Sequence, residues 1–397
     1  MKVLHVITGL GVGGAELQLR SLLRHTRHDA DVVTLYNPGP VADMIIRDGG
    51  RVRDLGMTRN TELPALLHLA GLMRRGRYDV VHVHLYRSCI YGRLAARLAG
   101  VPIVVTTEHS IGETHLERRR MTRGVRALYL ASDICSDVTI AVSTAVRDRL
   151  VRWGVSARKI EIIPNGLDLD RVAADPVAGA EVRDQLELPS SATVIGVLGR
   201  LDPNKRFDMV IEAAAPLLGP TVRLLVVGDG AERAHLEQVA RESGAAPYVT
   251  FAGERHDVAG VLSALDLFIA SSEQETFGLS VLEALTNGVR ALYTTCPALA
   301  GIATDRARQV PGEVGGMREA IADELASPSP RRSEPAVMAH YGMTAVTERI
   351  DELYERLDSR RRPLVGVTEV LGDVVPPPRA ADGRRPASTP RTLVGGA

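Results

Sequence analysis

Several residue types are scarce in this 397-residue sequence, and each shortage excludes a class of protein. Three cysteines, far apart and without a C-x-x-C pair, argue against a disulfide framework or a zinc site and favour the reducing cytoplasm. Aromatic residues make up 4% and the formal net charge is zero, so neither stacking nor general electrostatic attraction favours nucleic acid as a partner. No apolar run approaches the roughly 20 residues of a membrane-spanning helix. These shortages predict a cytoplasmic globular protein.

Short apolar strands alternate with amphipathic helices in two successive series. The strands are Val/Ile-rich on nearly every position, which is typical of parallel strands buried on both faces. The pattern predicts doubly wound α/β domains over residues 1–166 and 192–343, joined by a proline-punctuated linker at 167–191. We expect a helix at 344–359 and a disordered tail at 360–397, where Pro, Arg, Gly and Ala predominate.

A glycine-rich loop lies between the first strand and the first helix, in "VITGLGVGGAE" at 6–16. Gly9, Gly11 and Gly14 match the dinucleotide fingerprint G-x-G-x-x-G. That fingerprint needs an acidic residue at the end of the second strand, and "TLYNPG" at 34–39 has none. We therefore expect no nicotinamide or flavin cofactor. Two interpretations remain, an anion held by backbone N–H groups and a tight turn without a ligand.

Two cations belong to the loop "GRLDPNKRFD" at 199–208. Arg200 follows a predicted buried strand, and Lys205, one of only three lysines in the chain, precedes a helix. Because ligands of open α/β sheets bind at the carboxyl ends of strands, the pair suits a diphosphate. The alternative is a solvated basic turn.

The stretch "SSEQETFGLSVLEALTNG" at 271–288 pairs two carboxylates with a helix start. Glu275 lies in the loop, and Glu283 lies inside the helix, within an apolar run where an unpaired carboxylate is costly. Such an arrangement can flank a sugar nucleotide while the helix start holds its diphosphate. The alternative is an ordinary acidic surface. The backbone N–H groups at the helix start are those of Phe277, Gly278 and Leu279.

Six motifs together resemble the family-4 retaining glycosyltransferases, and the resemblance runs from about residue 2 to 357. The motifs are GGAE (13–16), IPNGLD (163–168), GRLDPNKRFD (199–208), VVGDGAER (226–233), FAGERHDV (251–258) and ETFGLSVLEAL (275–285). The resemblance implies the GT-B fold, two Rossmann-like domains facing across a cleft. It also implies metal-independent transfer of a sugar, with anomeric retention, from a nucleotide-diphosphate donor, UDP- or GDP-linked, to an acceptor hydroxyl.

The resemblance assigns roles around the donor. Arg200 and Lys205 correspond to the pair that binds its diphosphate. Glu283 corresponds to the glutamate that bonds the ribose, and Glu275 to the one that faces the transferred sugar. The backbone amides on sugar and phosphate are those of Phe277, Gly278 and Leu279, and the nucleobase loop comprises Gly253, Glu254 and Arg255.

The first domain is expected to supply a closing loop and the acceptor side. Gly13 and Gly14 correspond to the loop that closes on the donor, and His109 to the histidine near the reaction centre. Without the family context, His109 would be a hydrogen-bonded imidazole at a strand end. We expect catalysis to depend on His109 together with Arg200, Lys205 and Glu275. His82 and His84 share a strand face and are interpreted as packing or cleft lining rather than a metal pair.

Three further stretches bear on the donor sugar, on metal binding and on membrane contact. The segment 293–316, "YTTCPALAGIATDRARQVPGEVGG", lacks the family's glycine pair with proline and glutamate, so the donor sugar does not follow from it. Asp168-Leu-Asp170 mimics a metal-binding D-x-D motif but opens the linker, and we expect no metal there. The basic helical stretch 115–132 is either a solvated face or a contact to the inner membrane face.

The sequence is compatible with three kinds of acceptor: a glycan, a lipid-linked glycan and a small metabolite. The dominance of arginine over lysine suggests a GC-rich, actinobacterial type of genome, in which specialised-metabolite and polysaccharide glycosylation are common. Competing hypotheses are a nucleotide-sugar epimerase or a sugar phosphorylase of the same architecture, and a non-catalytic sugar-nucleotide-binding protein.

Overall fold

A computed structural model describes residues 1–59, 61–109, 111, 115–116, 119–120 and 122–361. Residues Met1–Ser359 form one compact unit. The predicted tail lies outside the described residues from position 362 onward. None of the described helices is both long enough and apolar enough to cross a bilayer.

The strands form two fully parallel sheets and one short antiparallel pair. In chain order they are β1 (Lys2–Ile7), β2 (Asp29–Thr34), β3 (Arg51–Asp54), β4 (Val80–His84), β5 (Ile103–Glu108), β6 (His115–Leu116), β7 (Arg119–Arg120), β8 (Val138–Ala141), β9 (Ile160–Ile162), β10 (Thr193–Leu198), β11 (Val222–Val227), β12 (Val249–Gly253), β13 (Leu267–Ala270), β14 (Arg290–Tyr293) and β15 (Ala307–Gln309).

The α-helices of the described residues alternate with these strands. They are α1 (Gly14–His25), α2 (Gly39–Arg47), α3 (Leu63–Gly76), α4 (Tyr86–Ala99), α5 (Arg123–Asp133), α6 (Thr144–Trp153), α7 (Leu169–Val172), α8 (Pro176–Gln185), α9 (Phe207–Ala214), α10 (Arg233–Glu242), α11 (Val258–Ser263), α12 (Leu279–Asn287), α13 (Val314–Ala326), α14 (Pro335–Tyr341) and α15 (Met343–Arg361).

Each large sheet reverses its strand order beside its own first strand. The first sheet has the order β3-β2-β1-β4-β5-β8-β9, and the second has the order β12-β11-β10-β13-β14-β15. We call the first sheet with its helices the first lobe and the second sheet with its helices the second lobe. Ligands of doubly wound sheets bind where the strand order reverses, at the carboxyl ends of the strands. The loops after β1, β10 and β13, which carry the predicted motifs, all lie at such points.

The strands of the first sheet are buried because helices cover both of its faces. Every residue of β4 and β5 is buried, whereas the edge strand β3 is largely exposed. The apolar strand pattern of the sequence therefore reports burial on both faces, and the predicted α/β class of two doubly wound parallel-sheet domains is confirmed.

The stretch between the two strand series carries two helices that dock on the second lobe. The side-chain amide of Asn287 donates to the carbonyls of Val172 and Ala173, at 3.0 and 3.2 Å. The backbone N–H of Asp175 donates to Ser263 Oγ at 2.9 Å. The predicted linker, residues 167–191, therefore contains two helices, α7 and α8, that pack on the second lobe.

The last helix, α15, returns to the first lobe. Met343, Val346 and Tyr354 share a buried cluster with Val3 and Val80 of the first sheet. The hydroxyl of Thr26 also donates to Asp351 Oδ1 at 2.7 Å. The final helix thus completes the apolar cover of the N-terminal sheet.

Candidate active site

The centre of the candidate site is an ion pair between the loops after β10 and β13. Lys205 Nζ donates to Glu275 Oε1 at 2.7 Å and to Ser272 Oγ at 3.3 Å. Lys205 ends a 3₁₀ turn, Pro203–Lys205, and Arg206 alone separates it from α9. Because β10 and β13 are neighbours in the sheet, residues 70 positions apart meet here.

Arg200 lies on the same loop as Lys205, but its side chain is not engaged. Its side chain is exposed, without a hydrogen bond or ion pair to any other residue that the structure describes. The loop that carries it packs closely on the next βα loop: a Cβ on Gly228, at φ +133°, would overlap the carbonyl oxygen of Gly199. Position 228 therefore requires glycine, both because of its positive φ and because the Gly199 carbonyl leaves no room for a side chain. A free guanidinium on a supported loop is suited to bind an incoming anion.

The first turn of α12 presents unused backbone donors. Among the described residues, the N–H groups of Phe277, Gly278 and Leu279 have no acceptor. Gly278 adopts φ +101°, and a Cβ there would lie 2.5 Å from Cys296 Sγ. The Phe277 ring is buried edge-on against Tyr341, with centroids 5.4 Å apart. The helix start is thus rigidly seated with its N–H groups available to an anion.

Glu283 lies on the same helix, and its carboxylate has a partner that the sequence did not indicate. Arg171 Nη1, from α7, lies 3.5 Å from Glu283 Oε1. Burial raises the pKa of the Glu283 carboxyl, and the charge of Arg171 opposes the shift. The partly buried carboxylate is therefore held in place by a cation of the 167–191 stretch.

The predicted nucleobase loop follows β12. Gly253 ends the strand at φ +70°, and Glu254 is exposed. The Arg255 guanidinium is engaged by its own lobe, donating to Asp257 Oδ1 and to Gln185 Oε1, both at 2.9 Å. The backbone of Gly253 and the side chain of Glu254 are therefore more accessible to a ligand than the Arg255 guanidinium, which is already hydrogen-bonded.

The two lobes meet at the start of α12. A Cβ on Gly14 would lie 3.7 Å from Leu279 Cδ1, so the loop of Gly13 and Gly14 faces that helix start. Two side chains of the first lobe also bind the carbonyls before it. Ser143 Oγ donates to Thr276 O at 2.6 Å, and Arg149 Nη1 donates to Glu275 O at 3.3 Å.

His109 follows β5 and lies on the first-lobe side. Burial lowers its pKa to about 4, against an opposing effect of the Asn165 side chain. Its Nε2 lies 3.3 Å from His84 Nδ1, while its Nδ1 is buried and has no hydrogen-bond partner among the described residues. A cavity of about 30 Å³ borders His84, His109, Asn165 and Thr107.

The histidines of the first sheet are packed and hydrogen-bonded. His82 Nδ1 lies 2.6 Å from Tyr354 Oη, and its Nε2 lies 2.6 Å from Thr107 Oγ1. His5, His82 and His84 place ligand atoms within 4.8 Å of one another, a grouping that could hold a metal ion. Because both nitrogens of His82 are already bonded to hydroxyls, the grouping is better explained as a hydrogen-bonded cluster.

The D-x-D sequence has a structural explanation. Asp168 caps α7 by accepting from the backbone N–H of Arg171 at 3.3 Å. Its other carboxylate oxygen pairs with Arg24 Nη1 at 3.1 Å. Both oxygens of the Asp168 carboxylate are thus engaged by other residues, and they hold the chain segment that connects the two lobes.

Family models match both halves of the chain. Residues 12–171 match Glycosyltransferase Family 4, and residues 180–342 match Glycosyl transferases group 1. A GDP-mannose-dependent alpha-mannosyltransferase of Mycobacterium tuberculosis (strain CDC 1551 / Oshkosh) is 32% identical over 292 residues, 70% of this chain and 74% of that protein. The chain belongs to glycosyltransferase family 4.

Two further similarities agree with this membership. The UDP-Gal:alpha-D-GlcNAc-diphosphoundecaprenol alpha-1,3-galactosyltransferase of Escherichia coli is 28% identical over 297 residues, 72% of this chain and 76% of that protein. The crystal structure of Anabaena Alr3699/HepE with UDP and glucose, at 21% identity, superimposes with a TM-score of 0.80 over 90% of this chain and 100% of that one. The fold is GT-B, and the activity is glycosyl transfer from a nucleotide sugar.

The glycosyltransferase contains site residues that sequence reasoning missed. Arg149 and Arg171 were not predicted, because each acquires its role only where two elements meet. Arg149 could have been noticed, since it shares the buried face of α6 with Val146 and Leu150. His5 gave no such signal, because only the strand register of the folded sheet pairs it with His82.

Proposed function

We propose that this glycosyltransferase moves a sugar from a nucleotide diphosphate to an acceptor hydroxyl with retention of the anomeric configuration and without a metal ion. The proposal rests mainly on the Lys205–Glu275 pair, which places a cation and a carboxylate together beside the open N–H groups of α12. Arg200, free on the same loop as Lys205, adds a second cation for the diphosphate.

In the mechanism we propose, charge moves onto the leaving diphosphate. The bond between the anomeric carbon and the phosphate oxygen loosens toward an oxocarbenium-like state. Arg200, Lys205 and the amides at Gly278 stabilise the negative charge that develops on that oxygen. The acceptor oxygen bonds to the anomeric carbon on the face that the phosphate leaves, and its proton passes to the departing phosphate oxygen.

The remaining residues position the two substrates. Glu275 faces the sugar, and Glu283 holds the ribose hydroxyls. The loop of Gly13 and Gly14 closes on the donor, in keeping with its approach to Leu279. His109 holds the acceptor hydroxyl near the anomeric carbon.

We propose a donor sugar linked to UDP or GDP, and the identity of that sugar is the question for the experiment below. The relative from Escherichia coli is named for UDP-Gal and the one from Mycobacterium tuberculosis for GDP-mannose, so family membership leaves both bases open. The acceptor we propose is a glycan, a lipid-linked glycan or a small specialised metabolite, and nucleic acid is not a partner.

A thermal-shift panel of UDP-, GDP-, ADP- and dTDP-sugars tests the proposal, followed by turnover with an acceptor panel and NMR of the product's anomeric proton. We expect one nucleotide class to raise the melting temperature, and transfer with the donor's anomeric configuration in EDTA-treated protein. Epimerisation without an acceptor would favour the epimerase hypothesis. Tight donor binding without any turnover would favour a binding protein.

We also propose a cytoplasmic enzyme that touches the anionic inner face of the membrane. Residues 117, 118 and 121 lie outside the described residues. The helix predicted over 115–132 was wrong in its first part: residues 115–116 and 119–120 pair as the strands β6 and β7, and α5 begins only at Arg123. Arg123 is exposed there, Leu128 is 49% exposed, and Ile134 just after the helix is 82% exposed. Co-sedimentation with anionic vesicles but not with zwitterionic ones is the expected result, and equal recovery with both would contradict it.

A further inference from the structure

Three imidazoles are joined end to end in the first lobe, those of His5 and His84 buried and that of His109 partly buried. His5 Nδ1 lies 3.0 Å from His84 Nε2, and His84 Nδ1 lies 3.3 Å from His109 Nε2. His5 is on β1 and His84 ends the neighbouring β4, so the parallel sheet itself sets the first contact. The rings of His84 and His109 are stacked, with centroids 5.6 Å apart.

The two contacts constrain where the hydrogens are. Burial lowers the pKa of His5 to about 3 and that of His109 to about 4, and it lowers the pKa of His84 well below its ordinary value. At neutral pH each ring is therefore neutral and carries one N–H. Since both nitrogens of His84 are engaged, one donates and the other accepts. It follows that all three rings carry hydrogen on Nδ1, or all three carry it on Nε2.

We propose that His5, His84 and His109 form a single imidazole chain, whose direction decides whether Nδ1 of His109 offers a hydrogen or a lone pair to the acceptor substrate. Nδ1 of His109 is buried without a partner among the described residues, and the ring borders the cavity shared with Asn165. The role toward the acceptor rests on the proposed function; the coupling of the rings does not. His5 is thereby a positioning residue that acts through His84.

One direction of the chain suits an acceptor hydroxyl that donates its hydrogen. With every ring protonated on Nε2, Nδ1 of His109 accepts that hydrogen bond and orients the hydroxyl oxygen toward the sugar. With every ring protonated on Nδ1, His109 instead donates to an oxygen of the acceptor. Both states are neutral and carry three ring hydrogens in total, so conversion of one into the other releases a proton at one end of the chain and takes one up at the other.

His82 supplies a matched control within the same cluster. Its ring centroid lies 5.3 Å from that of His5 and 4.2 Å from that of His84, and it is equally buried. Its two nitrogens, however, are bonded to Tyr354 and Thr107 instead of to the chain. Substitution of His82 therefore disturbs the same packing without breaking the connection to His109.

The first test uses the ligand-free full chain labelled with ¹⁵N-histidine, whose tautomers are read at pH 7.5 from long-range ¹H–¹⁵N spectra. We expect His84 and His109 to share one tautomer in the wild type and in His82→Gln. His5→Met, which has no ring nitrogen, should change the tautomer ratio of His109. Opposite tautomers on His84 and His109, or an equimolar metal ion bound through these nitrogens, would overturn the chain.

The second test is kinetic and compares His5→Met with His5→Gln, whose amide can donate or accept. We expect His5→Met to lower kcat about tenfold and His5→Gln to recover most of it, with the Kd for the nucleoside diphosphate within about twofold of the wild type in both. Equal losses in both variants would indicate a packing role and overturn the proposal. If the wild type binds no nucleotide, the proposed function fails, and the tautomer measurement still decides the chain.

Discussion

Lys205 Nζ and Glu275 Oε1 lie 2.7 Å apart, although the two residues belong to different βα loops. Without a donor, the carboxylate is the nearest anion to the lysine, so a diphosphate has to compete with it for the ammonium group. The same carboxylate is the one expected to face the transferred sugar. This single contact therefore links donor binding to the reacting carbon.

Changing Glu275 should separate binding from turnover. In Glu275→Gln the ammonium of Lys205 loses its competing anion, so we expect the nucleoside diphosphate to bind at least as tightly as to the wild type. Turnover should fall by about 10² or more, because the carboxylate no longer faces the developing positive charge on the sugar. Calorimetry and initial rates measure the two effects. Weaker nucleotide binding with unchanged turnover would exclude this role.

Glu283 predicts a pH effect of defined sign. Burial raises the pKa of its carboxyl in the folded chain, so the folded state binds more protons than the unfolded state above pH 4.5. Stability is then lost as pH rises from 4.5 through the folded pKa, and Glu283→Gln should reduce that loss. The same variant should weaken donor binding about tenfold, through a poorer ribose contact. Urea unfolding at several pH values measures the stability. Glu254→Gln, at an exposed site, is the control for that stability measurement.

The buried histidines predict sensitivity to acid. Their pKa is near 6.5 in an unfolded chain, but burial lowers the pKa of His5 to about 3 and that of His109 to about 4. The unfolded state binds more protons below pH 6.5, so stability falls as pH decreases from 6.5 toward 4. Each such group contributes a slope of up to about 1.4 kcal/mol per pH unit. His5→Gln should flatten the curve, whereas His256→Gln, at an exposed position, should leave it unchanged.

Arg149 connects the acceptor side to the donor side. Its Nη1 donates to Ile111 O at 3.1 Å and to Glu275 O at 3.3 Å. We expect Arg149→Gln to lower kcat/KM about tenfold, because the Glu275 loop loses its support from the first lobe. Arg147→Gln, two positions earlier and more exposed, is the matched control. Equal activity of the two variants would remove Arg149 from the site.

The sequence predicted those features that depend on local pattern. The runs of β4 and β5 are apolar because both faces are buried, so their strand character was readable in advance. The position of Arg200 at the carboxyl end of β10 was likewise readable, because it directly follows an apolar run. The edge strand β15, with the sequence Ala-Arg-Gln, has no such pattern and was missed.

Features that arise from tertiary contact could not be predicted. Arg171 meets Glu283 only because α7 docks on α12, and nothing in the proline-punctuated stretch around it signals that docking. His5 resembles any polar residue of a strand until the register places it beside β4. In each case the chemistry depends on a neighbour that is distant in the sequence.

The central claim is that the cations after β10 bind the donor's diphosphate. Its most direct test is the Kd of UDP or GDP, whichever the wild type binds, for Arg200→Ala/Lys205→Met. Charge-assisted hydrogen bonds contribute about 1.5–3 kcal/mol each, so we expect binding to weaken by about 10² or more. The control is Arg308→Ala/Lys159→Met, which removes a surface arginine and a lysine paired with Asp133 at 3.1 Å. Unchanged affinity in Arg200→Ala/Lys205→Met, with a folded protein, would contradict the claim.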